Sequence, residues 1–66
     1  MKNNIRVERA IARLSQQQVA DQIGVSRQTI NAIETVRFIP STILALKIAK
    51  LFGKSVNEIF ELEKSD

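Results

Sequence analysis

Apolar residues recur along this chain at three- and four-residue spacing, in short runs bounded by residues that start or stop helices. Ile5, Ala10 and Leu14 offer themselves to the core from a first helix over about residues 4–12. Val19, Ala20 and Ile23 repeat behind Ser15, and Ser15 with Gln18 reads as an S-x-x-Q capping box. Gly24 then supplies the left-handed residue that ends a helix. Ser26 caps a third helix, whose Ile30 and Ile33 face inward. Pro40 and Ser41 open a fourth, which ends at Phe52 before Gly53 and buries Leu44, Ala45, Ile48, Leu51 and Phe52. Ser55 and Glu58 form a second capping box for a last short helix ending near Phe60. Every segment is too short to be stable alone, so packing between them must hold the fold. The pattern predicts an all-α, compact five-helix bundle in one domain spanning residues 1–66.

The tail, FELEKSD, departs from this period. Phe60 and Leu62 alternate with Glu61 and Glu63. Two outcomes fit: a short strand paired with the N-terminal MKNN, giving a two-stranded element joining the termini, or a frayed end.

Composition narrows the chemistry. The chain has 66 residues, with no cysteine and no histidine. It therefore lacks disulfides, thiolate metal ligands and the commonest general base. We expect no enzyme, no metal and no cofactor. No apolar run approaches the roughly 20 residues needed to span a membrane, and the start does not read as a signal peptide, so the expected location is the cytoplasm. The net charge of +3 is unevenly spread. Residues 1–54 carry nine Lys or Arg against three acids, whereas residues 55–66 carry Lys64 against four acids. One reading is a charged coat that keeps a small protein soluble. The other is a body facing a polyanion and an acidic end turned away from it.

The segment from Gln16 to Glu34 decides between them. Two short helices meet at a turn containing Gly24, with Val25 at the corner and Ala20 allowing close approach. These are the requirements of a helix-turn-helix over about residues 16–34. With Ile30 and Ile33 inward, Arg27, Gln28 and Asn31 share the outer face of the second helix, near its start. That is the part of a recognition helix that meets base edges in the major groove. Arginine can pair with guanine O6 and N7, and an amide with adenine N6 and N7.

LSQQQVADQIGVSRQTINAIE resembles the helix-turn-helix of the phage repressor and Cro family, also called the xenobiotic-response-element family. Gln16, Ala20, Gly24-Val25-Ser26, Ile30, Ile33 and Glu34 carry the match. PSTILALKIAKLFGKSVNEIF is similar to the fourth and fifth helices of the small repressors in that family. The resemblance implies further roles. Gln16 would contact a backbone phosphate, Thr29 a phosphate or base edge, and Arg37 a phosphate. Arg9 and Glu34 match a salt bridge between the first and third helices. Four residues have a plainer alternative: Gln16 as an ordinary first-turn residue, Arg27 as a solvated arginine, Asn31 as too deep to reach bases, and Ala32 as a neutral helix former rather than a methyl contact to thymine. Lys2, Arg6, Arg13, Lys47, Lys50 and Lys54 read as solvated or long-range charges.

The chain departs from the family in TVRFIPS. Glycine or asparagine is common where Val36 stands, and a polar residue where Ile39 stands. If Val36 must take positive φ, its β-branch costs about 1–2 kcal/mol. Either the loop takes another path or it exposes apolar groups, Ile39 and Ile43 among them.

The functional expectation is a sequence-specific regulator of transcription, a repressor that binds double-stranded DNA. One short recognition helix reads too few base pairs to locate a genomic site, which argues for a homodimer on a two-fold operator. Val56, Ile59, Phe60 and Leu62 are the expected dimer surface. The rival is an antitoxin-like or other protein-interaction subunit that uses the fold as a scaffold, with an unknown protein partner.

Overall fold

The computed structural model describes residues 1–66. Five helices follow a two-residue strand: β1 (Lys2–Asn3), α1 (Ile5–Ala12), α2 (Gln16–Ile23), α3 (Arg27–Glu34), α4 (Thr42–Phe52), α5 (Val56–Ile59), then β2 (Phe60–Glu61). The strand alternative for the tail is the one realised. β1 and β2 pair antiparallel, with Lys2 opposite Glu61 and Asn3 opposite Phe60.

Capping chemistry sets the helix boundaries. The Ser15 side chain accepts from Gln18 N–H at 3.0 Å, and Gln18 Oε1 accepts from Ser15 N–H at 2.8 Å. Ser26 and Ser41 accept from the third amides of α3 and α4. Glu58 Oε1 accepts from Ser55 N–H at 3.0 Å at the start of α5. At its other end each of α1 to α4 is followed by a left-handed residue: Arg13, Gly24, Val36 and Gly53. Such a residue turns the chain so that the next amides bond the helix's last carbonyls.

The core contains Ile5, Val19, Ala20, Ile23, Ile30, Ile33, Ile48, Ala49, Ile59 and Phe60. Burying one such isoleucine is worth about 1.5–3 kcal/mol. Leu14, Val25, Leu44, Ala45, Leu51, Phe52 and Val56 pack around it, half-buried.

Two expectations need correcting. Ala10 is exposed. It lies five positions past Ile5, well round the helix from it. The inner face of α1 instead carries Ile5 and Glu8. Glu8 is only 6% exposed, and its charge is met by Lys54 Nζ at 3.0 Å. Lys54, expected to be a solvated charge, thus ties the end of α4 to α1.

The second correction concerns the expected dimer surface. Ile59 and Phe60 are 2% and 7% exposed within a single chain. They belong to the core because α5 and β2 fold back onto α4 and β1. Val56 is half-buried and Leu62 is exposed. With Met1, Asn57, Phe60 and Glu61 they line an open groove of about 430 Å³.

Candidate nucleic-acid interface

α2 and α3 make the densest helix pair of the molecule, through Val19, Ala20, Ile23, Ile30 and Ile33. Ala20 is wholly buried, so no longer side chain separates the helices. The turn between them is closed by Gly24 N–H and Val25 N–H, both donating to Ala20 O, at 2.9 and 3.0 Å. Gly24 needs its positive φ of 78° here.

Ser26 then aims α3. Its Oγ accepts from Thr29 N–H at 3.2 Å and lies 2.9 Å from Thr29 Oγ1. Thr29 is half-buried and engaged at the cap, whereas Arg27 and Gln28 are exposed on the first turn. Their side chains make no hydrogen bond inside the chain, so guanidinium and carboxamide are free for a ligand.

Asn31, one turn further on, differs. Its Oδ1 accepts from Gln16 Nε2 at 3.1 Å, and the same nitrogen donates to Glu34 Oε1 at 3.2 Å. Arg9 completes the cluster: Nε and Nη2 reach the two Glu34 oxygens at 2.6 and 3.1 Å, and Nη1 donates to Leu14 O at 3.0 Å. Arg6 Nε stands 3.8 Å from Glu34 Oε1. The Glu34 side chain is 1% exposed. Burial alone would raise its pKa, but the hydrogen bonds from Arg9 and Gln16 prevail and hold the carboxyl below its usual range. α1, α2 and α3 are therefore fixed to one another by a single carboxylate. Sequence reasoning placed Arg9 beside Glu34 but missed that Gln16 and Asn31 join them. The available signal was that Asn31 and Glu34, three apart on one helix face, lie opposite the start of α2.

Beyond α3 the chain turns at Val36, φ 61°. Val36 N–H donates to Ile33 O at 3.0 Å and Arg37 N–H to Ala32 O at 2.9 Å. This is the Schellman arrangement, with valine in the position glycine favours. Asn3 Nδ2 also covers Ile33 O, at 2.9 Å. The loop takes this path and exposes apolar groups: Phe38 is 47%, Ile39 63% and Ile43 69% exposed. Arg37 is exposed next to them, its Nε donating to Thr35 Oγ1 at 3.0 Å.

A tri-helical unit with a closed turn and an outward-facing polar helix start is a helix-turn-helix. The family model described as Helix-turn-helix (HTH_3) matches residues 5–59. Relatives match along the chain. An uncharacterized HTH-type transcriptional regulator of Methanocaldococcus jannaschii is 47% identical over 66 residues, all of both chains. One from Bacillus subtilis is 41% identical, also over the full length of both. One from Methanothermobacter thermautotrophicus is 42% identical over 97% of this chain and 94% of its own. The chain belongs to the Cro/C1-type helix-turn-helix family of transcriptional regulators, a non-enzymatic class. No helix is long and apolar enough to cross a membrane.

Proposed function

We propose that residues 1–66 act as one sequence-specific DNA-binding domain in the cytoplasm, a repressor that occupies a two-fold operator as a homodimer. Arg27 and Gln28 carry this reading. They are exposed and unbonded on the first turn of a helix whose position is fixed from three sides. In a major groove, Arg27 suits guanine O6 and N7, and Gln28 suits adenine N6 and N7. Thr29 stands close to the strand backbone, and Arg37 binds a phosphate beside it. The dimer forms around the groove lined by Met1, Val56 and Leu62, with Phe60 as its floor rather than its contact.

The test begins with DNA selected from a random pool. Arg27→Ala and Gln28→Ala should each weaken binding to the winner by about 1–3 kcal/mol and leave binding to random DNA nearly unchanged. Equal losses on both would rule out base reading by these residues. Arg37→Ala should weaken all sequences alike and flatten the slope of log affinity against log salt by about 1 per contact, so by about 2 for a dimer. Sedimentation should show a dimer that Leu62→Glu dissociates. A chain monomeric on its operator would end the two-fold model.

A further inference from the structure

Asn3 stands where three elements meet. Its backbone belongs to β1, opposite Phe60 of β2. Its side chain leaves the sheet in two directions. Nδ2 donates to Ile33 O, in the last turn of α3, at 2.9 Å, and Oδ1 accepts from Ile5 N–H, at the start of α1, at 3.2 Å. A carbonyl only accepts and a backbone amide only donates, so both partners demand the same orientation of the carboxamide. Ile33 is 1% exposed, and its carbonyl also takes the amide of Val36 at 3.0 Å. The two lone pairs of that oxygen accommodate both donors. No other hydrogen bond joins the two-stranded sheet to α3. The Glu34 cluster ties α3 to α1 and α2 alone.

We propose that Asn3 is a positioning residue that sets the angle of the recognition helix against the sheet, and with it the spacing between half-sites that the dimer accepts. The proposal rests on the dimeric DNA-binding reading above. The groove assigned to the dimer is lined by Met1, Phe60 and Glu61, which lie in the sheet or next to it. Two copies joined there hold their sheets at one angle. Each α3 then meets its half-site in the orientation that its own sheet gives it. Ile33 lies six residues beyond Arg27, which is about 9 Å along the helix. A small rotation about the Ile33 end is thus carried to the first turn, where Arg27 and Gln28 stand. One base pair more or less between half-sites turns one of them about 34° around the duplex relative to the other. A helix bonded to the sheet follows that turn poorly. A helix released from the sheet follows part of it. Base choice is unaffected, because Asn3 acts at the end of α3 opposite the reading residues.

Asn3→Asp keeps the shape and the acceptor for Ile5 N–H but, ionised at neutral pH, cannot donate to Ile33 O. Asn3→Leu removes the same donor without adding charge, and serves where the aspartate variant does not fold. Both are titrated onto the operator selected by the wild type and onto versions with one base pair added to or removed from the spacer. The wild type should lose on the order of tenfold in affinity on either altered spacer, and each variant only about threefold. Base preference at the positions read by Arg27 and Gln28 should stay the same. On a single half-site, where no second subunit has to be matched, Asn3→Leu should bind within about twofold of wild type. A residue that only stabilises the fold would weaken all of these complexes by one common factor, and that result would overturn the proposal. So would variants that bind DNA and keep the wild-type penalty for an altered spacer. A dimer left intact by Leu62→Glu would overturn it as well, because the interface would then lie away from the sheet. A chain that binds no DNA would remove the functional reading, and the proposal with it.

Discussion

The recognition helix is flanked by two turns that meet one backbone demand with different residues. Before α3, Gly24 takes φ 78° and Val25 packs against the core. After α3, Val36 takes φ 61° and is itself 49% exposed. A left-handed residue with a β-carbon costs about 1–2 kcal/mol, and a β-branch adds crowding. The first turn suits its residues. The second is imposed on them by the bonds to Ala32 O and Ile33 O and by the start of α4 at Ser41. Phe38 and Ile39, which follow, remain 47% and 63% exposed. One flank of α3 tucks its apolar residue against the core, and the other leaves its apolar residues at the surface.

The largest effect should come from removing the carboxylate that ties α3 to α1 and α2. Glu34→Ala leaves Arg9, 17% exposed, without its partner and frees Gln16. Breaking a buried pair costs about 3–5 kcal/mol, and urea denaturation would measure it. A loss below about 1 kcal/mol would show that the cluster orients α3 without stabilising it. The pH dependence has a definite sign. Because the folded Glu34 has a depressed pKa, its contribution is fully present above the unfolded value of about 4.3. It disappears as pH falls through the still lower folded value. The Glu34→Ala variant should therefore lose less stability than the wild type on acidification through that window.

The same contrast explains what was legible in the sequence. Caps and stops are local chemistry, so Ser15, Gly24, Ser26, Ser41 and Gly53 mark the helix ends by residue type alone. Helical spacing reveals the inner faces of α2, α3 and α4. It fails on α1, where the amphipathic pattern does not show that a charged residue, Glu8, faces inward to reach Lys54 across 46 positions. It fails again at Ile59 and Phe60, whose apolar character suits a dimer surface and a core equally; only the return of β2 to β1 decides between them. For the candidate site, residue types nominate Arg27, Gln28 and Asn31. The difference between two free side chains and one tethered to Gln16 is a matter of tertiary distance, which no local pattern encodes.

Swapping the residues at the two turns should produce smaller effects of opposite sign. Gly24→Ala places a β-carbon where no atom lies within 4 Å. Its cost is thus backbone strain alone, about 1 kcal/mol. Val36→Asn removes a β-branch from the same conformation, which asparagine tolerates, and gives up little burial. It should stabilise by about 1 kcal/mol, read as a rise in thermal midpoint of several degrees for a domain of this size. If both substitutions destabilised, Val36 would be making a contact worth more than its strain.

The smallest effect concerns the exposed side chains beyond Val36. Ile39→Ser and Ile43→Ser remove apolar surface that is already 63% and 69% exposed. Folding stability of the isolated chain should therefore stay within about 0.5 kcal/mol of wild type. The informative measurement is that stability at two protein concentrations. In a dimer joined at the Met1, Val56 and Leu62 groove, association adds stability as concentration rises, and both serine variants should share that dependence with the wild type. If the serine variants lose the dependence while Leu62→Glu keeps it, the second copy docks on the loop and α4. The two flanks of α3 would then divide the work between DNA and partner, and the groove at the chain ends would lose its assignment.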